Sequence, residues 1–100
     1  MQAEKSVEQY LIRRVKACGG MCIKLQCTGI NGIPDRIVLI PVIGKCVFVE
    51  LKAPGGRLSA VQEVRIKQLR EMNFDVYVLY NFEQVDKFID KEMIDYVRRN

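Results

Sequence analysis

The chain has no histidine among its 100 residues. Histidine is therefore excluded both as a general base and as a metal ligand. No apolar run approaches the roughly 20 residues that a membrane span requires. The first residues, Met1-Gln2-Ala3-Glu4-Lys5, are polar and lack the core of a signal peptide. The expectation is a soluble cytoplasmic protein without a membrane partner. A Walker-type glycine loop is missing, so no nucleotide cofactor is implied. The four cysteines, Cys18, Cys22, Cys27 and Cys46, lack the tight paired spacing of a zinc knuckle. They read as small, buried, free thiols of a reducing compartment. Repeats, linkers and low-complexity stretches are absent, and a chain of this length makes one domain, 1–100.

What is present is ordinary in bulk. An apolar fraction of 49% and a charged fraction of 28% suit a globular domain with a single core. The net charge of +4 is compatible with a polyanionic partner but is too small an excess to identify one.

Local patterns divide the chain. Ser6 is placed to cap a first helix, with Gln9 in the capping-box position. Val7, Leu11, Val15 and Cys18 recur at helical spacing, and Gly19-Gly20 ends the run. Met21 to Gln26 alternates as a half-buried strand. Its Met21, Ile23 and Leu25 are expected on one side, and Cys22, Lys24 and Gln26 on the polar side. Cys27 to Pro34 holds two glycines, an asparagine and a proline, and reads as loop. Asp35 opens a second strand that Pro41 ends. Gly44-Lys45 turns into a third, and so short a connection implies an antiparallel hairpin. Ser59 caps a second helix, again with a box partner, Gln62. That helix runs to about Met72, with Val61, Val64, Leu69 and Met72 on or beside its apolar stripe. Val76 to Tyr80 is a fourth strand. Asn81 caps a third helix with Val85, Phe88 and Ile89 as its apolar face. Ile94, Tyr96 and Val97 suggest one or two last helical turns.

The order α-β-β-β-α-β-α describes a meander followed by a crossover that sets the fourth strand parallel to a neighbour. The fold class is α/β, a mixed sheet with helices on both faces.

The chemistry gathers at one end of that sheet. Glu50 and Lys52 are two apart on a strand and share a face. With the second and third strands paired, Asp35 reaches that face beside Glu50. Two carboxylates and an amine then converge. That is a divalent-cation site with a positive charge beside it, suited to water attacking a phosphodiester. Three further residues each have two readings. Glu8 is either a solvated acid favoured by the helix dipole or a third carboxylate turned to the metal. Lys24 is a solvated charge or a phosphate contact. Gln62 is a capping partner or a polar group aimed at the site.

The ordered set Gly32-Ile33-Pro34-Asp35-Arg36, Glu50-Leu51-Lys52 and Leu58-Ser59 with Gln62, preceded by Glu8, resembles the virus-type replication-repair nuclease (VRR-NUC) domain. That domain is part of the PD-(D/E)XK nuclease superfamily. The resemblance runs from Ser6 to about Phe88. Glu-X-Lys alone is common; the three motifs in this order are far more specific. The resemblance implies a restriction-endonuclease-like αβββαβ core and a metal-dependent, structure-specific DNA endonuclease. It implies Mg²⁺ or Mn²⁺ held by Asp35, Glu50, the Leu51 carbonyl and Glu8, since hard cations take oxygen ligands. Lys52 would orient water or offset phosphorane charge, with Gln62 holding the lysine or the water. Lys24 moves near the scissile phosphate, and Arg57, Arg65 and Lys67 would track the DNA backbone.

Without an accessory domain the chain looks like the stand-alone form typical of bacteriophages. Such members are associated with Holliday-junction cleavage by a homodimer. Ile30 and Ile33, or Val42 and Ile43, are the expected apolar contacts between protomers. The alternatives are a flap, nicking or restriction-like endonuclease and, from a different class, a catalytically silent DNA-binding module.

Overall fold

The computed structural model describes residues 3–94. Its elements are α1 (Glu4–Ala17), β1 (Met21–Lys24), β2 (Arg36–Ile40), β3 (Lys45–Leu51), α2 (Ala60–Glu71), β4 (Val76–Leu79) and α3 (Phe82–Ile89), then a π-helical turn, Asp90–Ile94. Tyr96 and Val97, expected in a last helical turn, lie outside the described residues. No helix among those residues is long and apolar enough to cross a membrane.

The sheet order is β1-β2-β3-β4. The first three strands form the expected antiparallel meander. β4 returns through α2 and pairs parallel to β3. Alternation then divides the side chains between two layers. Val38, Ile40, Val47, Val49 and Leu51 join Val7, Leu11 and Val15 of α1 and Val85, Phe88 and Ile89 of α3 in the main core. On the other face Ile66 and Leu69 of α2 bury against Val76, with Phe48 and Val78 beside them. The result is a mixed sheet between α1 and α3 on one side and α2 on the other.

Four local expectations are corrected. α1 starts at Glu4, not after Ser6. Its N-cap is Ala3, without a side-chain cap bond, and Val7 N–H already donates to the Ala3 carbonyl at 3.0 Å. β1 faces the opposite way from its apolar pattern. Met21 and Ile23 are 59% and 38% exposed, whereas Cys22 packs on the main core. Register decides this, because Cys22 pairs with Val38, whose side chain points at α1. α2 covers β3 and β4 and leaves the far side of β1 bare. On α2 itself Val61, Val64 and Met72 are exposed, and Ile66 and Leu69 carry the packing. The thiols also differ from expectation: all four are free, but Cys18 and Cys22 are half-buried and Cys27 and Cys46 exposed.

The second helix starts as its sequence specifies. Ser59 Oγ accepts from Gln62 N–H at 3.1 Å, and Gln62 Oε1 accepts from Ser59 N–H at 2.9 Å. A Ser59→Ala variant is expected to lose about 1 kcal/mol in denaturant unfolding. An unchanged midpoint would mean that packing alone sets the helix start.

Candidate active site

The loop before β2 is pinned from both sides. Gly32 adopts φ +79°, and a Cβ built there would stand 2.6 Å from the Val61 carbonyl oxygen. Only glycine combines that backbone conformation with that approach. Arg65 Nε donates to the Asn31 carbonyl at 2.9 Å, tying the same loop to α2. Ile33 and the buried Pro34 then deliver Asp35 to the start of β2. Gly32→Ala is expected to lower stability by roughly 2 kcal/mol through strain and backbone collision. Its thermal melt checks this, and a wild-type melting temperature would show that the loop can yield.

The β2–β3 register carries Arg36 opposite Val49, so Asp35 comes beside Glu50. Asp35 N–H donates to Glu50 Oε1 at 3.2 Å. Leu51 N–H donates to Asp35 Oδ2 at 3.2 Å. In extended backbone the N–H and C=O of one residue point to the same side. The Leu51 carbonyl therefore also faces Asp35. Lys52 N–H donates to the Leu79 carbonyl at 3.0 Å, which holds the end of β3 against β4. Lys52 Nζ lies 3.5 Å from Glu50 Oε2. Gln62 Nε2 donates to that same oxygen at 3.2 Å, so the capping glutamine also braces the site.

Glu50 is 1% exposed. Burial, and next the charge of Asp35, push its carboxyl up to about 7, with Lys52 acting against them. Two acids lie beside one ammonium, an excess of acidic groups with hard oxygen donors. That donor set fits a divalent cation.

Asp35, Glu50, Leu51, Lys52 and Gln62 thus come together. Glu8 does not join them. Its Oε2 accepts from Arg36 Nε at 3.2 Å, and no three acid, thiol or imidazole groups among the described residues are placed to hold a metal. Lys24 is exposed at the end of β1, and Arg57 and Lys67 are exposed near α2. Arg65 is committed to Asn31 and Gln68. Sequence reasoning overlooked Arg36 as a partner for Glu8. The signal was its position directly after Asp35 and, once strands are paired, opposite Lys24.

The comparisons with known proteins span most of the chain. The family model of the VRR-NUC domain matches residues 8–83. A protein of Acyrthosiphon pisum secondary endosymbiont phage 1, named "Putative nuclease p44", is 38% identical over 76 residues, spanning 76% of this chain and 81% of that protein. A solved structure described as "VRR_NUC domain" matches with a TM-score of 0.81 and 34% identity, over 88% of this chain and 95% of that one.

Proposed function

The chain belongs to the VRR-NUC domain family, and on that premise we propose that it is a Mg²⁺- or Mn²⁺-dependent endonuclease that cuts branched DNA as a homodimer. The single observation that carries this reading is the Asp35–Glu50 carboxylate pair, with Glu50 buried and its carboxyl pushed up by that burial and by the charge of Asp35, flanked by Lys52.

Asp35, Glu50 and the Leu51 carbonyl would hold the cation. When bound, it supplies Lewis acidity toward the phosphate and a more acidic water. The remaining work falls to the chain's own groups. Lys52 presents a positive charge where the attacking water and the developing phosphorane charge would lie. Gln62, fixed by its capping bonds, keeps Glu50 turned toward Lys52. Lys24, Arg57 and Lys67 are free to meet backbone phosphates, contacts that position DNA without reading its sequence. That favours recognition of DNA shape.

A domain of this size offers one such site. Symmetric cutting of both strands at a four-way junction needs two, which a two-fold dimer supplies. Large apolar side chains are exposed where a second copy could cover them: Met21, Ile23, Ile30, Val42 and Ile43, together with Val61 and Val64. Ile33 is half-buried and less available.

The test is cleavage of labelled four-way junction, flap, nicked and linear duplex DNA with Mg²⁺ or Mn²⁺. EDTA and Lys52→Ala serve as controls. Paired symmetric cuts in the junction, lost in both controls, are expected. Equal cutting of flaps or linear duplex would keep the nuclease and discard junction resolution. A folded protein that binds the junction but cuts nothing would be a silent binding module.

A further inference from the structure

The sheet is four strands wide, and its two faces are covered unequally. Strands lie about 4.8 Å apart and a helix is about 10 Å across, so one helix covers roughly two strands. α1 and α3 fill one face. On the other, α2 stands over Phe48 of β3 and over Val76 and Val78 of β4. The β1–β2 half of that face has no helix above it among the described residues. That half is apolar. Met21 and Ile23 are exposed there, beside their half-buried ladder partners Leu39 and Ile37. Its border is apolar too, with Ile30 exposed on the loop before β2 and Val61 and Val64 exposed on α2. Val61 abuts Gly32, and Arg65, one turn on, donates to the Asn31 carbonyl, so this flank of α2 faces the bare half. Valine at an exposed helix position costs helix propensity and gains no packing within one copy.

We propose that this face seats a second copy of the chain, related by a two-fold axis, with the α2 flank of each protomer lying on the bare β1–β2 half of the other. The proposal rests on the homodimer reading above and names its interface. One copy carries both parts of the contact: a sheet face short of one helix, and a helix flank short of a sheet. A surface complementary to itself closes under a two-fold axis. The area is of the right order. Met21, Ile23, Ile30, Val61, Val64 and Met72 are all exposed, and six such side chains present on the order of 400 Å² of apolar surface. A specific dimer buries about 800 Å² per partner, a little over half of it apolar. The turn that carries Val42 and Ile43 joins β2 to β3 at the end of the sheet away from Asp35 and Glu50, outside this contact. The pairing also bears on the site. Val61 and Arg65 hold the loop that delivers Asp35, and Gln62 on the same helix donates to Glu50. A partner seated on this flank braces both elements that position the two acids.

The test reads molar mass in solution by light scattering behind a sizing column, without metal or DNA, with circular dichroism melts to verify folding. Wild type and Val42→Asp are expected to be dimers at micromolar concentration, and Val64→Glu and Ile23→Lys monomers. Each substitution enters a two-fold contact twice, so pairing weakens roughly hundredfold. Val64→Glu places a good helix former at an exposed helix position, so the fold is kept. If Ile23→Lys does not fold, Met21→Lys takes its place. Mixing Val64→Glu with Ile23→Lys is expected to restore a dimer, because one of the two crossed contacts then pairs opposite charges and the other is unaltered. A monomeric wild type overturns the proposal and leaves the face to a partner of another kind. A dimer that Val42→Asp breaks and Val64→Glu does not overturns it as well, while a homodimer built on the hairpin turn survives. A mixture that stays monomeric overturns the crossed arrangement. Junction cleavage with Mn²⁺ separates this outcome from the nuclease reading. A monomeric wild type that cuts DNA sinks the interface alone, and a dimer of the expected variant pattern that cuts nothing sinks the nuclease reading and keeps the interface.

Discussion

An Asp35→Asn variant is expected to cut DNA about a thousandfold more slowly than wild type and yet to melt at a higher temperature without metal. Both effects come from one charge. Asp35 and Glu50 are held together by the Asp35 N–H bond to Glu50 Oε1, and the Asp35 charge is the second-largest cause of the raised Glu50 pKa. Asparagine keeps an oxygen to accept from Leu51 N–H, so the local backbone bond survives. The like-charge repulsion goes, which stabilises the metal-free fold by roughly 1 kcal/mol. The proposed cation site meanwhile loses one of its two carboxylates. Lys52→Ala should also lose activity but with the opposite effect on stability, because Lys52 is the cation that opposes the rise at Glu50. Activity assays and melts of the two variants in EDTA check this. Stability changes of the same sign in both would contradict the charge balance described here.

The metal-free protein is expected to lose stability as pH rises from about 5 to 7 and to regain it with Mg²⁺ or Mn²⁺. The Glu50 carboxyl, ordinarily near 4.5, is pushed up to about 7 in the fold, chiefly by burial and then by Asp35. Between those values the folded chain holds a proton that the unfolded chain has already released. Stability therefore falls with rising pH across this window and levels off above it. A shift of this size corresponds to about 3 kcal/mol at most. On the proposed reading a divalent cation would replace the proton as the compensating charge, so its stabilisation should grow with pH. Melts from pH 5 to 8, in EDTA and in Mg²⁺, read both halves. Glu50→Gln should flatten the EDTA profile. A wild-type profile in EDTA that is already flat would show that Glu50 ionises in the fold as it does in the open chain.

Much of this was decided by sequence alone. The apolar runs before Pro41 and after Gly44, joined by so short a connection, determined an antiparallel hairpin, and the hairpin brings Asp35 beside Glu50. Ser59 and Gln62 determined where the second helix begins, since a capping box needs only four consecutive residues. These features depend on neighbours in the chain, and local sequence encodes them directly.

Tertiary structure decided which side each pattern faces and which partner each charge takes. The alternation of β1 is plain in the sequence, but its direction follows from pairing Cys22 with Val38, a contact sixteen positions away in the chain. The apolar residues along α2 offered more than one stripe, and the one that packs was chosen by Phe48, Val76 and Val78 beneath it. Glu8 has a place on a helix face in the sequence; its bond to Arg36 exists only once α1 lies across β2. Alternation and capping are short-range and survive in isolation, whereas register, layer and ion-pair choice are energies of the assembled sheet.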